Sequence, residues 1–225
     1  MADKSASSYS GSTIQVLKGL EAVRHRPAMY IGDTDKKGLH HLIWEILDNS
    51  VDEAMAGHAK NITISIAADG ETISIEDDGR GIPVDMHPTE HKSALEVAMT
   101  VLHAGGKMTS DASGYVASGG LHGVGASCVN ALSDFMVVEV HRDGYLWKQE
   151  YSRGVPKGNV EKVRKLEKGE KPTGTKSTWH SDIQIFKNGV KIDEKEISRR
   201  VRETAFLNRG LRIVLKNEET KTNEE

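Results

Sequence analysis

The sequence has very little cysteine, few aromatic residues and no long apolar run. Its one cysteine, Cys128, cannot form an internal disulfide, and a structural zinc site built on cysteine pairs is not expected. Cys128 sits in the apolar run ASCVNAL and is predicted to be a buried small hydrophobe in a reducing compartment. No apolar stretch approaches the ~20 residues of a membrane helix, and the polar start MADKSASSYSG has no signal core. We therefore expect a cytoplasmic protein without a membrane segment.

The chain also lacks an excess of positive charge. Its 30 Lys and Arg residues are outnumbered by 33 Asp and Glu, which gives a net charge of −3. A domain that grips DNA by itself usually carries a clear basic excess, so any link to nucleic acid is expected to lie mostly outside this chain. The basic cluster Arg199, Arg200 and Arg202 is interpreted as the solvated face of an amphipathic helix.

The order of periodic segments predicts one domain that mixes helices and strands. Residues 1–12 are interpreted as a flexible Ser-rich arm, 13–216 as a single domain with a lid at about 85–125, and 217–225 as a polar tail. Helices are predicted up to Pro27, over 39–55, and near 95–102, 126–132 and 193–206. Strands are predicted at 61–66 and 72–76, as a hairpin, and near 136–141, 145–151, 175–179 and 211–216. The predicted fold class is α+β, a two-layer α/β sandwich with helices on one face of a mixed, mostly antiparallel sheet.

The long helix over 39–55 combines an apolar stripe with an acidic face. Glu45, Asn49 and Glu53 are spaced four apart and stack along one line. Asp48 and Asp52 lie on the same side, which carries no Lys or Arg, and mutual repulsion costs free energy unless a cation offsets it. Magnesium fits that role, with Asn49 as ligand and a nearby carboxylate orienting water. An acidic surface helix that binds no ligand is an equally open interpretation, since such helices are common.

A first glycine-rich turn, Asp77-Asp78-Gly79-Arg80-Gly81-Ile82-Pro83, follows the predicted strand ISIE. An ordinary hairpin turn is the alternative, but no alternating strand follows, because Pro83 and Pro88 interrupt the segment. Two glycines around a charged residue indicate a close backbone approach to something. A carboxylate at a strand end accepts hydrogen bonds and can take the exocyclic amine of adenine, where guanine presents a carbonyl instead.

A second set of glycines lies in HAGGK and SGGLHGVG, and the latter run leads straight into the helix ASCVNAL. Backbone N–H groups at a helix start bind anions, and Lys107 adds a charge that can reach a phosphate. The chain has neither G-x-x-x-x-G-K-[ST] nor G-x-G-x-x-G, which argues against a Walker loop and a Rossmann site. Phosphate binding is favoured over a merely flexible loop.

Together these segments resemble the ATP-binding domain of type II topoisomerases of the DNA gyrase B kind. That domain belongs to a superfamily of gyrases, heat-shock chaperones, histidine kinases and mismatch-repair proteins that share a Bergerat-type ATP-binding fold. The resemblance rests on the stretches VLKGLEAVRHRPAMYIGDT, GLHHLIWEILDNSVDEAMAG, EDDGRGIPV, VLHAGGK, SGGLHGVGASCVNALS and AFLNRGLRI, which span nearly the whole chain in order.

The resemblance implies a role for each matching residue. Glu45 resembles the general base, Asn49 the Mg²⁺ ligand and Asp77 the carboxylate that binds adenine. Thr175 is expected to support Asp77 through a shared water, and Arg80 is expected to pair with Glu53 at the edge of the adenine pocket. The remaining ATP-binding residues are expected to be Tyr9, Gly81, Ile82, Pro83, Lys107, Gly119, Gly120, Leu121, His122, Gly123, Val124, Gly125 and Arg142.

The resemblance also implies ATP hydrolysis with Mg²⁺, coupled in a full enzyme to DNA strand passage and negative supercoiling. The gyrase A protein and DNA are expected to act through regions absent from this chain. Tyr9 and Ile14 match an arm that reaches into the partner of a homodimer. Alone, the chain is expected to be a monomer that hydrolyses ATP slowly and whose tail marks a truncation point.

Alternatives and departures accompany the resemblance. The ATPase protein of topoisomerase IV, which works with a different partner, a chaperone or histidine kinase of the superfamily, and a non-catalytic nucleotide sensor stay open. Ala28 stands where many members have Gly, and Val116 where many have Lys. Trp179-His180 departs from the commoner Phe-x-Pro-Asp, which is expected to alter packing near Thr175.

Overall fold

The computed structural model describes residues 17–102, 104 and 125–225. Its helices are α1 (Leu20–His25), α2 (Ala28–Ile31), α3 (Lys36–Met55), α4 (Ala94–Thr100), α5 (Gly125–Ala131) and α6 (Glu194–Leu207). Its strands are β1 (Asn61–Ile66), β2 (Thr72–Asp77), β3 (Ser133–Arg142), β4 (Tyr145–Ser152), β5 (Val155–Pro156), β6 (Glu161–Lys165), β7 (Gly174–Ser181), β8 (Arg212–Asn217) and β9 (Thr222–Glu224). No helix within these ranges is both long and apolar enough to cross a bilayer.

The strands of the described residues form one nine-stranded sheet in the order β5-β4-β3-β7-β2-β1-β8-β9, with β6 paired to β4. Every pair is antiparallel except β1 with β8, where Asn61 pairs with Arg212 in a parallel register. The hairpin of β1 and β2 predicted from the sequence is confirmed, with Ile66 opposite Ile73. One parallel pair in an otherwise antiparallel sheet makes it mixed, as predicted.

The core lies between one face of the sheet and the helices. Along β1 and β2, buried residues alternate with half-buried ones, because successive side chains of a strand point to opposite faces. Helix α3 packs on β2, α5 on β3 and α6 on β8, so the helices cover the face that carries the buried isoleucines. Each fully buried aliphatic side chain contributes roughly 1.5–3 kcal/mol. The α+β sandwich with helices on one face is therefore confirmed. Its largest fully buried side chains are Trp179, Tyr151, Phe186, Leu42, Ile43, Leu47, Ile62, Ile64, Ile66, Ile73, Ile75 and Leu95.

Several short elements were not predicted. Helix α2 and strands β5, β6 and β9 have no clear apolar periodicity, and all five residues of β6 are exposed at the sheet edge. The segment interpreted as a polar tail contains β9, which pairs with β8. Glu224 in this strand accepts hydrogen bonds from Ser198 and Arg202 on α6, at 2.7 and 2.6 Å. Polar contacts of this kind leave no hydrophobic pattern, so nothing in the sequence indicated this strand.

Two predicted segments are covered only partly or not at all. The segment 85–125, predicted to be a lid, contains the predicted helix α4, but most of its second half lies outside the described residues. The arm over 1–12 lies outside them as well, together with Tyr9, Ile14, Lys107, Gly119, Gly120, Leu121, His122, Gly123 and Val124. Their proposed roles therefore rest on the sequence.

Candidate functional site

Helix α3 positions the line of polar residues Glu45, Asn49 and Glu53 in the candidate site. Its apolar stripe, which includes Leu42, Ile46 and Val51, is buried against the core, and this orientation leaves Glu45 and Asn49 half-buried on the other side. The 3.6-residue period of the helix then stacks Glu45, Asn49 and Glu53, as predicted from their spacing.

Glu45 is held on two sides. His41, one turn earlier, approaches Glu45 Oε1 with Nε2 at 3.0 Å, and this hydrogen bond raises the pKa of the His41 imidazole against the opposing effect of burial. On the other side, Gly125 at the start of α5 lies so close that a Cβ atom there would be 2.0 Å from Glu45 Oε2. Gly125, expected to contact phosphate, is thus also the residue that leaves room for the Glu45 carboxylate.

The acidic face of α3 meets more protein cations than its own sequence indicates. Arg80 from the turn after β2 pairs with Glu53, with Nη2 and Oε1 2.9 Å apart. Arg200 of α6 approaches Asp48 at 3.8 Å and lies over the Trp44 ring at 5.9 Å. The charge on this face is therefore offset in part by residues distant in sequence, which weakens the argument for magnesium from repulsion alone. Arg200 belongs to the basic cluster that was interpreted as a solvated helix face, and its neighbours Arg199 and Arg202 are exposed.

Asp77 ends β2 with its carboxylate almost enclosed, since only 6% of the residue is exposed. Ser50 on α3 donates its hydroxyl to Asp77 Oδ2 at 2.9 Å, and the Gly79 N–H donates to Oδ1 at 2.9 Å. Burial raises the pKa of Asp77, and the hydrogen bonds from Gly79, Ser50 and the Thr175 backbone oppose that rise. These three donors are neutral groups, so the buried carboxylate is stabilised by dipoles.

The turn after Asp77 is built around close backbone contacts. Arg80 forms a two-pronged ion pair with Glu53, through Nε at 3.1 Å and Nη2 at 2.9 Å, so the predicted pairing of these residues is present. Gly81 has φ +73°, and a Cβ there would lie 2.8 Å from the His141 carbonyl, so only glycine fits. Thr175 Oγ1 accepts a hydrogen bond from the Ile82 N–H at 3.2 Å.

Arg142 and Pro83 complete the border of this turn. The Arg142 guanidinium donates to the Gly81 carbonyl at 2.9 Å and to the Arg80 carbonyl at 3.3 Å, so it supports the turn from the strand β3. Ile82 packs partly against the core, whereas Pro83 is exposed. The structure thus brings together Asp77, Gly81, Ile82, Arg142 and Thr175 in one small region.

Two residues of the site were not predicted from the sequence. His41 could have been predicted, because residues four apart on a helix are neighbours and His41 lies four residues before Glu45. The contact of Ser50 with Asp77 joins residues 27 positions apart on different elements, and no local pattern indicates it.

Cys128 on α5 fits its predicted structural role. It is buried, and burial raises the pKa of its thiol to about 12, with the nearby Glu45 charge adding to the rise. A thiol that stays protonated is a poor nucleophile and a poor metal ligand. Cys128 therefore packs beside the site without taking part in its chemistry.

Several known proteins are similar in sequence to this chain over nearly its whole length. The DNA gyrase B protein of Haloferax volcanii is 53% identical over 213 residues, which cover 94% of this chain and 33% of that protein. The gyrase B protein of Micrococcus luteus is 50% identical over 220 residues, covering 96% and 29% respectively. The chain thus spans about a third of the length of these relatives.

A solved structure and a family match agree with these relatives. The crystal structure of the 43K ATPase domain of Thermus thermophilus gyrase B, in complex with an aminocoumarin, superposes with a TM-score of 0.80 at 45% identity. The match covers 92% of this chain and 51% of that one. Residues 34–180, which include Glu45, Asp77 and Thr175, match the family described as histidine kinase-, DNA gyrase B- and HSP90-like ATPases. The chain therefore belongs to the family of histidine kinase-, DNA gyrase B- and HSP90-like ATPases.

Proposed function

We propose that this chain binds ATP with Mg²⁺ and hydrolyses it as the ATPase domain of a gyrase B-type DNA topoisomerase. The observation that carries the proposal is the arrangement on α3, where Glu45, Asn49 and Glu53 form one line and the neighbouring Ser50 reaches the buried Asp77 carboxylate. The similarity to gyrase B sequences over nearly the whole chain supports this proposal. The ATPase protein of topoisomerase IV is the second candidate, since the two enzymes differ in regions and partners beyond these residues.

The base of ATP is recognised by Asp77. An ionised carboxylate only accepts hydrogen bonds, which suits the exocyclic amine of adenine and disfavours the carbonyl that guanine presents there. The Thr175 backbone borders the carboxylate, and Thr175 Oγ1 holds the Ile82 N–H of the turn. Gly81 belongs to the same turn, and Ile82 and Pro83 offer apolar surface for the ring. Arg80, held by Glu53, lies at the edge of this pocket, with Arg142 behind the turn.

Glu45 acts as the general base in an in-line attack of water on the γ-phosphate. Its carboxylate accepts the proton of the attacking water, and His41 keeps that carboxylate oriented through the 3.0 Å contact. Gly125 leaves the space into which the carboxylate extends. Lys107, Gly125 and the run 119–124 bind the phosphates, an assignment that rests on the glycine-rich sequence.

Asn49 is the residue that would bind Mg²⁺. Among the described residues no group of three His, Cys, Asp or Glu side chains is arranged to bind a metal, so a metal there would take few of its ligands from such groups. A single amide oxygen together with phosphate oxygens and waters suits Mg²⁺, because this ion keeps several waters in protein sites. When bound, the ion would neutralise charge that develops on the phosphate oxygens.

In the complete enzyme, ATP binding by this domain drives DNA strand passage and negative supercoiling in the cytoplasm. The gyrase A protein and DNA act through other regions, and the ATPase region forms a homodimer into which Tyr9 and Ile14 of the arm reach. The chain has no basic excess, which supports assigning most of the DNA contacts to other parts of the protein.

The test of the catalytic assignment is Glu45→Gln. This variant keeps the shape of the side chain but cannot accept the proton, so ATP should still bind while turnover falls about 10²–10⁴-fold. Calorimetry measures the binding and phosphate release measures the turnover. Near-normal turnover in Glu45→Gln would overturn the role of Glu45 and would mean that another group acts as the general base.

The test of the adenine assignment is Asp77→Asn. The amide presents a donor as well as an acceptor and should weaken ATP binding roughly 10-fold or more, because a partner of a buried hydrogen bond is lost. Asp78→Asn is the matched control, since Asp78 binds the Lys60 and Asn61 backbone instead. Unchanged ATP affinity in Asp77→Asn would remove Asp77 from the site.

A further inference from the structure

Ser50 makes an uncommon choice of hydrogen-bond partner for a serine inside a helix. Hydroxyl side chains in helices commonly bond the carbonyl four residues earlier. Thr100 and Thr204 do so here, at 2.7 and 2.9 Å. Ser50, although inside α3, donates instead to Asp77 Oδ2 on β2 at 2.9 Å. Both residues are buried, with 4% of Ser50 and 6% of Asp77 exposed.

The two 2.9 Å hydrogen bonds to Asp77 are divided between its two oxygens. Gly79 N–H binds Oδ1 and the Ser50 hydroxyl binds Oδ2. Rotation of a carboxylate about its last torsion is otherwise soft, because this torsion has a broad energy minimum. With one donor on each oxygen the plane of the carboxylate is set. The Thr175 backbone donates a further hydrogen bond to this carboxylate. A carboxylate offers about four acceptor sites, so one stays available beside these three donors.

Gly79 cannot set this plane alone. Its N–H anchors only Oδ1, and rotation would carry Oδ2 away while that bond persisted. The space beside Oδ1 is tight, because a Cβ at Gly79 would lie 2.9 Å from Asp77 Oδ1 and 3.0 Å from Glu53 Cβ. A side-chain anchor comes from α3, the helix that also carries Glu45 and Asn49, and it adds to the hydrogen bond from the Thr175 backbone.

We propose that Ser50 is a positioning residue for base recognition: its hydroxyl locks the Asp77 carboxylate in the rotation that presents an acceptor oxygen to the exocyclic amine of adenine. The inference rests on the proposed function, in which Asp77 binds adenine. Ser50 itself touches Asp77 and acts on the nucleotide through it. It ties the recognition of the base to the position of α3.

The experiment compares two nucleotides that differ only in the exocyclic amine. ATP carries this amine, and purine riboside 5′-triphosphate has hydrogen in its place. Ser50→Ala removes the anchor, so ATP should bind roughly 5–20-fold more weakly, while the analogue should change less than about twofold. Ser50→Thr retains the hydroxyl and should restore the ratio of the two affinities. Calorimetry on the whole chain with Mg²⁺ measures each variant with each nucleotide.

Ser133→Ala is the matched control. Ser133 is a fully buried serine whose hydroxyl donates to the Val129 carbonyl at 2.6 Å, at the end of β3 opposite to the Asp77 region. Its removal should lower stability and leave the ratio of ATP to analogue affinity unchanged. Thermal unfolding checks that each variant is folded, and Ser50→Cys, with a weaker donor of similar size, serves if Ser50→Ala does not fold.

The outcomes separate the inference from the function on which it rests. An equal loss of affinity for ATP and the analogue would make Ser50 a merely structural residue and overturn the inference. No loss for either nucleotide would overturn it too. If the unmodified chain does not bind ATP, or if Asp77→Asn binds it normally, the proposed function fails instead.

Discussion

At the scale of single residues, Gly125 leaves no room for a side chain of its own beside Glu45. These residues belong to α5 and α3, and a Cβ atom on residue 125 would lie 2.0 Å from Glu45 Oε2 and 3.1 Å from its Cβ. The near atom is the tip of a flexible side chain, so the fold can adapt by turning the carboxylate away. The consequence of a larger residue at 125 should therefore appear in catalysis more than in stability.

Gly125→Ala is expected to lower ATP turnover about 10²-fold. A displacement of about 1 Å of a catalytic group has effects of this size, because proton transfer requires hydrogen-bond geometry. Steady-state phosphate release measures turnover, and thermal unfolding measures stability. Gly158→Ala is the control, because a Cβ at residue 158 meets nothing within 4 Å. Unchanged turnover in Gly125→Ala would mean that the contact does not constrain Glu45.

Asp182 is a second residue with a large structural role. Its buried carboxylate accepts hydrogen bonds from Arg24 Nη2 and Arg153 Nε, both at 2.7 Å. Burial by itself would raise the pKa of Asp182, but the bonds from Arg153, Gln184 and Arg24 outweigh it and lower the pKa below 3.8. A carboxylate with a lowered pKa contributes stability that is present above its ordinary pKa and lost as pH falls.

Asp182→Asn is expected to destabilise the fold by about 1–2 kcal/mol at pH 7, because two hydrogen bonds lose their charged acceptor while both arginines stay partly exposed to water. The difference from the unmodified chain should shrink as pH falls from 6 towards 3, since Asp182 is then protonated in the unfolded state and progressively in the folded state. Urea unfolding at several pH values measures this. A difference that stays constant over that range would contradict the assignment.

At the scale of elements, the acidic helix α3 is contacted by three basic side chains from different parts of the fold. His41 is on the helix itself, Arg80 is on the turn after β2 and Arg200 is on α6. The buried face of α3 packs against the sheet, so its polar face meets the elements that surround the site. This helix therefore serves as both a core element and the frame of the site.

A histidine ties together three elements on the opposite face of the sheet. His180 on β7 has Nδ1 3.0 Å from Asp134 on β3, and Nε2 3.3 Å from Glu71 in the turn before β2. Burial would lower the pKa of His180, but the bonds to Asp134 and Glu71 outweigh it and raise the pKa above 6.5. This residue belongs to the Trp179-His180 departure from the common family pattern.

His180→Gln is expected to cost about 1 kcal/mol or less at pH 5.5, as is usual for ion pairs near the surface. A histidine with a raised pKa contributes stability that is fully present below 6.5 and lost as pH rises through its folded-state pKa. The difference between His180→Gln and the unmodified chain should therefore vanish at alkaline pH. Thermal unfolding at pH 5.5 and pH 9 measures it, and a difference that grows with pH would contradict the prediction.

At the scale of the whole molecule, the sheet and helices form a frame, and the glycine-rich stretch around 103–124 connects two of its helices. Helix α4 precedes that stretch and α5 follows it. These helices pack on each other, and the end of the stretch at Gly125 lies next to Glu45. This placement suits a segment that binds phosphates.

ATP with Mg²⁺ is expected to slow amide hydrogen exchange within residues 85–125, because the proposed phosphate contacts order this part of the chain. Exchange in β9, at the edge of the sheet away from α4 and α5, should not change. Mass spectrometry with and without ATP measures both. In the Asp77→Asn variant, ATP should not slow exchange at concentrations too low for this variant to bind it. Equal exchange in the presence and absence of saturating ATP would contradict a lid in this range.

Local sequence patterns were enough to predict the main elements, whereas the roles of the proposed site residues came from the resemblance and stay predictions. Helix α3, the hairpin of β1 and β2, and the turn over 77–83 each follow from periodicity or glycine placement within about twenty residues. Element ends differed by a few residues, as with α3, which begins at Lys36 rather than Leu39. The edge strands β6 and β9 were missed, because exposed strands held by polar contacts carry no apolar alternation.

By itself the sequence determined the fold class, the acidic line Glu45, Asn49 and Glu53, and the carboxylate at the end of β2. Helical spacing and strand alternation are local properties, and they place side chains on a face wherever the element lies. Only the tertiary structure decided that Arg80 and Arg200 offset the acidic face, that Gly125 abuts Glu45 and that Ser50 reaches Asp77. Those contacts join separate elements, and which elements meet depends on the packing of the whole core.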